Sequence, residues 1–483
     1  MAVKVQKPIL VVGLGIVGGL WLWESLHDEI VAIGEWGLLG AIALGSAFWL
    51  LKKPTSSSTT PISLSPLTKE AVEQAIAKAN TTLAILEAEQ GHRENSEAFW
   101  SSLANLKQAV AQLGRGSVPV PTPKLQLAIT GGKKVGKSSL RRVLETCDLG
   151  EDISWVETQA LFTEAETAVP NKEVALLECH LLLFLVTGDL TESERQFLQQ
   201  SRNCHQRPIL IFNKQDRYLP EEREMIGQLL QQRCTELLPC EDVIAIAAAP
   251  QPVKVLRHQA DGSVAEFLEQ PPAQVAACTE RLKEILAQER ETLVLGTLWR
   301  QATALQQQAK ASLNQVRRER ALPTIEQYQW LAAAAAFANP AAALDLLATA
   351  AISSQMLLDL SEIYQQKFSL SQAKAAAGEI GKLMVQLGLV ELSSQAIAGL
   401  LKSNALTYIA GGAIQGVSAA YLTRLAGLSL IEYLQEQELA RESGGSLNWE
   451  RLSAKLKQVF TENQRSAVLQ GFVRQAIAHL SPA

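Results

Sequence analysis

The chain is poor in aromatic residues and holds no clustered cysteines. Phe, Trp and Tyr make up only 5% of its 483 residues, whereas hydrophobic residues as a whole reach 47%. Its cores must therefore rely on small aliphatic side chains, which points to closely packed helices. Six cysteines (Cys147, Cys179, Cys204, Cys234, Cys240 and Cys278) are scattered without a CxxC pair. That spacing argues against a zinc site or a disulfide framework, and free thiols suit a reducing compartment. Positive charge is also in deficit. A net charge of −5 supplies no general attraction for nucleic acid, so no nucleic-acid partner is expected. A chain of this length should hold two to four domains.

What the sequence does have begins with two apolar runs, residues 9–23 and 30–51, the second interrupted only by Glu35. A span needs roughly 20 apolar residues, so the first is short and the second sufficient. Glu24, Asp28, Glu29 and Glu35 lie in or beside the connector, while Lys4, Lys7, Lys52 and Lys53 lie outside the runs. By the positive-inside rule both flanks stay cytoplasmic and the acidic turn crosses. Trp21, Trp23, Trp36 and Trp49 near the run ends suit interfacial anchors. A transmembrane hairpin over residues 1–53 is expected, with membrane lipids as a partner and the remaining domains facing the cytoplasm. The alternative is a buried helical hairpin.

Residues 54–66 (PTSSSTTPISLSP) read as a linker. Over 67–117, Val72, Ile76, Ala79, Leu83 and Leu86 recur at steps of four and three, as do Phe99, Leu103, Leu106, Val110 and Leu113. This predicts an α-helical hairpin that either packs on a neighbouring domain or binds a partner as a coiled coil. Short apolar runs at 125–130, 153–158, 181–186, 209–213 and 243–248 alternate with helical segments. They predict an α/β domain over 124–271 with a parallel sheet. Residues 252–269 add a β-hairpin turning near Asp261 and Gly262. A connecting helix is expected within 272–322. Pro323 then opens an Ala-rich all-α domain to 436, followed by a helical tail over 437–483. Gly412 and Gly416 form a GxxxG, which permits close helix contact in a membrane or in a small-residue core.

Two motifs carry the chemistry. Residues 131–138 read GGKKVGKS, a complete GxxxxGKS phosphate loop between the strand LQLAIT and the helix SSLRRVLE. Gly131 and Gly136 let the backbone turn its N–H groups toward phosphate. Lys137 reaches the β- and γ-phosphates, Ser138 offers its hydroxyl to Mg²⁺, and Ser139 continues the helix start. Residues 213–216 read NKQD after the strand ILIF. Asp216 can accept from the ring N–H and the amino group of guanine, a donor pair that adenine lacks on that edge. Asn213 and Lys214 brace the loop and cover the base. GTP or GDP with Mg²⁺ is the expected ligand set.

The hydrolytic parts are weaker. The candidate for the DxxG that senses the γ-phosphate is Glu157-Thr158-Gln159-Ala160, with a longer acid and Ala in place of the flexible Gly. Glu157 and Thr158 are the catalytic candidates. Only residues 147–152 separate the first helix from the next strand, which leaves little room for a switch I, and Thr146 and Ser154 are poor substitutes for its metal-binding Thr. The SAK-like base loop is reduced to Ala247-Ala248-Ala249, and Asp189 reads as a loop or cap residue.

These residues resemble the translation-factor-like class of P-loop GTPases, with Era-like and dynamin-like families closest in layout. The stretches NPAAALDLLATAAISSQMLLDLSEIY and KSNALTYIAGGAIQGVSAAYLTRLAGLSLIEY resemble a bacterial domain of unknown function that is often fused to such GTPases and is frequent in cyanobacteria. The resemblance implies a membrane-associated GTP-binding protein, and the departures at 157, 160 and 247–249 imply slow hydrolysis. Two readings follow: a membrane-anchored switch or slow GTPase with a protein effector, or a dynamin-like remodelling or scaffold protein whose self-assembly nucleotide governs. A pseudo-GTPase without turnover is the third.

Overall fold

The computed structural model describes residues 67–90, 97–116, 124–150, 152–162, 177–258, 264–338, 342–366, 368–402, 412–436, 448–463 and 466–480. The expected membrane hairpin, the linker and the turn near Asp261 lie outside them. The chain divides into two units, Met1–Ser65 and Pro66–Ala483, and the sheet and helices that follow belong to the second.

Five parallel strands form one sheet in the order β2-β1-β3-β4-β5: β1 (Leu125–Gly131), β2 (Ile153–Glu157), β3 (Leu181–Val186), β4 (Arg207–Phe212) and β5 (Val243–Ala245). β3 reads LLLFLV and is buried at every position, as a central strand covered on both faces requires. Alternate residues serve opposite faces. Leu127, Ile129, Leu183 and Leu185 pack with Leu140 and Leu144 of α3 (Lys137–Glu145) and with Leu282 and Ile285 of α6 (Ala276–Gln288). Phe184, Leu210 and Phe212 pack with Leu198 of α4 (Glu192–Asn203) and Leu230 of α5 (Pro220–Cys234).

β2 is an edge strand, half-buried at all five positions. Among the described residues nothing pairs with its outer side, which accords with the short α3–β2 connection read from the sequence. β5 stops at Ala245 rather than 248, because Ala247 bridges to Gln274 instead. The added hairpin, β6 (Val253–His258) and β7 (Val264–Glu269), forms its own antiparallel sheet.

The helical part is organised by α7 (Arg290–Ala338). Val72, Ala79, Leu83 and Leu86 of α1 (Lys69–Gln90) and Leu103 and Val110 of α2 (Glu97–Gly116) are buried against Ala302, Ala309, Leu313 and Val316 of α7. The hairpin stripes therefore serve intramolecular packing. Glu89 and Arg317 lock this contact with a buried ion pair at 2.6 Å.

The connecting helix departs from expectation at both ends. It breaks at Glu289, whose carboxylate is gripped by Arg207 at 2.8 and 3.0 Å, and it runs on through Pro323 rather than ending there. Pro323 is exposed, so the hydrogen bond lost to its missing N–H falls on the wet side of the helix, where water can replace it. The boundary expected at 322/323 is thus the interior of one helix.

Beyond it come α8 (Ala342–Ile363), α9 (Leu370–Gln386), α10 (Leu389–Lys402), α11 (Gly412–Glu436), α12 (Trp449–Asn463) and α13 (Ser466–Leu480). Ile325, Met356, Leu360, Ile380, Leu425 and Leu456 share one core. α11 runs antiparallel to α7: Gly416 lies beside Ala333, and Glu432 pairs with Arg318. A Cβ on Gly416 would stand 3.1 Å from the Ala333 carbonyl oxygen, so this GxxxG glycine serves a close approach between two helices of the same chain. Among the described residues no single helix is long and apolar enough to cross a membrane. α9 and the first part of α10 reach that length and composition only together, across a 67° bend.

Candidate functional site

The phosphate loop sits at the C-terminal end of β1, between the sheet and α3. Gly131 (φ 140°) and Gly136 (φ 96°) both lie in the left-handed region that side chains disfavour. Added Cβ atoms would stand 2.4 Å from the Leu185 carbonyl oxygen and 2.3 Å from Asn213 Nδ2, respectively. Sterics alone therefore require glycine at both positions. Lys137 Nζ donates to the carbonyls of Gly131 (3.1 Å) and Gly132 (2.8 Å). Burial pushes its pKa below the usual lysine value, opposed by the charge of Glu157. Ser138 Oγ donates to Glu157 Oε1 at 2.6 Å, and Ser139 follows, half-buried, on the same turn.

The NKQD segment braces this loop directly. Asn213 Nδ2 donates to the Val135 carbonyl at 2.8 Å, and Lys214 Nζ donates to the Lys134 carbonyl. A trans peptide directs its N–H opposite to its C=O. With both carbonyls drawn toward NKQD, the amides of Val135 and Gly136 face the other way, as an anion-binding loop needs. Lys214 itself adopts a left-handed conformation (φ 65°), and burial lowers its pKa.

Asp216 is held on one side only. Its Oδ2 accepts the Gln251 amide at 3.1 Å. Its Oδ1 is buried and has no hydrogen-bond partner among the described residues. A buried carboxylate oxygen left unpaired costs roughly 1–3 kcal/mol or more, so this atom is suited to an incoming hydrogen-bond donor. The Asn213 side-chain oxygen is taken by the Ala248 amide at 3.0 Å. The base loop is therefore fixed through main-chain N–H groups, a feature the sequence reading missed. Further support comes from Gln274, whose backbone exchanges two hydrogen bonds with Ala247 (3.0 and 2.9 Å), and from Gln270, whose Nε2 donates to the Pro250 carbonyl at 2.6 Å.

The catalytic candidates separate. Glu157 reaches Ser138 despite its different length from Asp, so a carboxylate stands beside the hydroxyl. The pair Ser138 and Glu157 offers the hard oxygen donors that Mg²⁺ prefers. Thr158 is buried, and its hydroxyl is spent on Thr130 Oγ1 at 2.7 Å. That contact holds β2 against β1 and leaves Thr158 a structural residue. After it the chain folds back, and the Leu161 amide donates to the Gly131 carbonyl at 3.1 Å. Thr146 and Ser154 are turned onto the carbonyls of Val143 and Leu125. Asp189 accepts from the Leu190 amide at 2.7 Å and pairs with Arg233, in keeping with a loop role.

Residues 300–465 match the family model described as "Domain of unknown function (DUF697)". The match begins inside α7, in line with the absence of a boundary at Pro323. Among curated proteins none matches the chain. Among solved structures, a GTP-binding protein from the hyperthermophilic archaeon Sulfolobus solfataricus, in complex with GDP, is 18% identical over 38% of this chain, with a TM-score of 0.22. This chain spans 61% of that protein's length. LeoA, a bacterial dynamin GTPase from ETEC, is 12% identical, covering 86% of this chain and 98% of its own, with a TM-score of 0.22. A member of an oligomerised bacterial dynamin pair is 13% identical, covering 85% and 78%, with a TM-score of 0.24. Likenesses at these scores leave the chemistry to be argued from the loop itself.

Proposed function

We propose that this chain, in which a P-loop GTPase-like α/β domain continues into a DUF697 helical region, binds GTP or GDP with Mg²⁺ and works as a membrane-anchored switch or slow GTPase. The observation that carries the reading is the joint bracing of the phosphate loop by Asn213 and Lys214, together with an Asp216 Oδ1 that is buried and has no partner among the described residues. Lys137 would leave its loop carbonyls for the β- and γ-phosphates, and the amides of Val135 and Gly136 would cradle the same charge. Ser138 and Glu157 would hold the metal, directly or through water, and the metal would supply charge neutralisation on the phosphates. Asp216 would accept from both guanine donors, each bond charge-assisted.

The same geometry supports slow turnover. Thr158 is locked onto Thr130, position 160 is Ala, and among the described residues no switch I segment precedes β2. Intrinsic hydrolysis should stay near the unassisted rate of about 10⁻⁴ to 10⁻³ per second known for Ras-type proteins.

Titrating the full chain with fluorescent GDP and ADP tests the reading, and the expected preference for guanine is at least about a hundredfold. Equal affinities would overturn it. Membrane anchoring by residues 8–51 is tested by carbonate washing, in which the chain should stay in the pellet; complete extraction would sink it. The dynamin-like second reading draws support from α7, a single helix that begins beneath the sheet and ends in the bundle. Nucleotide-dependent self-assembly on liposomes would favour it. A monomer that takes one effector only when loaded with GTP would favour the switch.

A further inference from the structure

The base loop 247–251 has lost the side chains that would ordinarily support a guanine site, yet its backbone is well held. The support comes from a strap, residues 270–274, that runs between β7 and α6. Gln274 exchanges main-chain hydrogen bonds with Ala247, and its side-chain oxygen accepts Gln215 Nε2 at 3.2 Å. Gln270 Nε2 donates to the Pro250 carbonyl at 2.6 Å. Pro250 is buried and immediately precedes Gln251, whose amide donates to Asp216 Oδ2 at 3.1 Å. A chain of contacts therefore leads from Gln270 through the Pro250–Gln251 peptide to the carboxylate that faces the base. The Pro250 carbonyl and the Gln251 amide belong to one rigid peptide plane, so the bond that Gln270 makes fixes the direction of the N–H that orients Asp216.

We infer that Gln270 is a positioning residue for base selection, setting the carboxylate of Asp216 through the Pro250–Gln251 peptide. The inference rests on the guanine reading of Asp216. Gln270 is exposed and contributes no core packing, so its replacement should leave the fold intact. Its loss should blunt recognition of the base and leave the phosphate end untouched. The informative probes are GDP and inosine diphosphate, which differ only in the 2-amino group that one oxygen of Asp216 would accept.

In the full-length protein, GDP should bind at least about tenfold more tightly than inosine diphosphate, the value of one charge-assisted hydrogen bond. In Gln270→Glu, which swaps the donor for an acceptor facing the carbonyl, and in Gln270→Ala, that ratio should fall about fivefold, with inosine diphosphate affinity held within about twofold. An unchanged ratio in both variants would overturn the role, as would a parallel loss for both nucleotides, which marks mere structural damage. Wild-type protein that binds ADP as well as GDP would instead remove the guanine reading and this inference with it.

Discussion

The two ends of the parallel sheet use the same kinds of side chain to opposite purpose. At the C-terminal end, polar groups are held in reserve. Lys137 rests on its own loop carbonyls, Ser138 leans on Glu157, and one oxygen of Asp216 has no hydrogen-bond partner among the described residues. At the N-terminal end nearly everything is consumed. Asp242, fully buried, is bound by Arg207 and Arg281. Arg207 also grips Glu289, and Arg300 from α7 donates to the carbonyls of Cys179 and His205 and to Thr297 Oγ1. Arg300 Nε is buried and has no hydrogen-bond partner among the described residues. One end leaves polar groups that a ligand could engage, and the other fastens the sheet to its helical support.

Substitutions at the two ends should therefore fail in different assays. The largest effect is expected at Lys137. Lys137→Ala should weaken GDP and GTP by at least about a hundredfold in equilibrium titration, because charge-assisted contacts to phosphate are worth roughly 1.5–3 kcal/mol each. Its unfolding midpoint should barely move, since the wild-type ammonium is already disfavoured by burial. At the opposite end, Asp242→Ala should cost about 2–3 kcal/mol of stability in denaturant unfolding by removing a buried carboxylate that pairs with two half-buried arginines. Its nucleotide affinity at low denaturant should remain within about threefold. A Lys137 variant that unfolds, or an Asp242 variant that loses only binding, would break the contrast.

A smaller, pH-dependent effect distinguishes the ends further. His180, beneath the sheet, accepts the Gln126 amide on Nδ1 at 3.0 Å. Burial first, and then the nearby charge of Arg300, lower its pKa from 6.5 to about 4. Between those values the unfolded chain takes up a proton that the folded chain refuses, so stability rises with pH across this window and is lost as pH falls from about 6.5 toward 4. The loss should reach at most roughly 3 kcal/mol. His180→Gln should flatten that part of the stability profile, and a profile unchanged by the substitution would contradict the account. Smallest of all, Glu157→Gln should weaken the Mg²⁺ dependence of GDP retention by about tenfold, one charge-assisted contact, with no change in base preference.

How much of this was legible in the sequence follows from how local each feature is. The phosphate-loop and NKQD motifs are contiguous strings, so their residues could be named from sequence, and the fold brings the two together through Asn213 and Lys214. The shortage of residues at 147–152 predicted little room for a switch I, and among the described residues no strand pairs with the outer side of β2. The support of the base loop was not, because it uses main-chain amides of Ala248 and Gln251 and glutamines some 20 residues away, none of which has a composition signal. Pro323 misled for a related reason. A proline inside a helix costs about 3 kcal/mol, and whether tertiary packing on both sides of position 323 offsets that cost is not written in the local sequence. The apolar stripes of α1 and α2 were clear, but their target, α7, lies more than 180 residues further on.

The central claim, that this end of the sheet holds a guanine nucleotide through Asp216, is tested most directly by Asp216→Asn titrated with GTP and xanthosine triphosphate. The amide places a donor where the carboxylate accepted, which opposes the guanine amino group and suits the xanthine carbonyl. GTP affinity should fall by at least about a hundredfold, for two charge-assisted bonds lost, while xanthosine triphosphate affinity rises in the same protein. GTP binding left intact in Asp216→Asn would contradict the account and reduce NKQD to a surface turn that braces the loop.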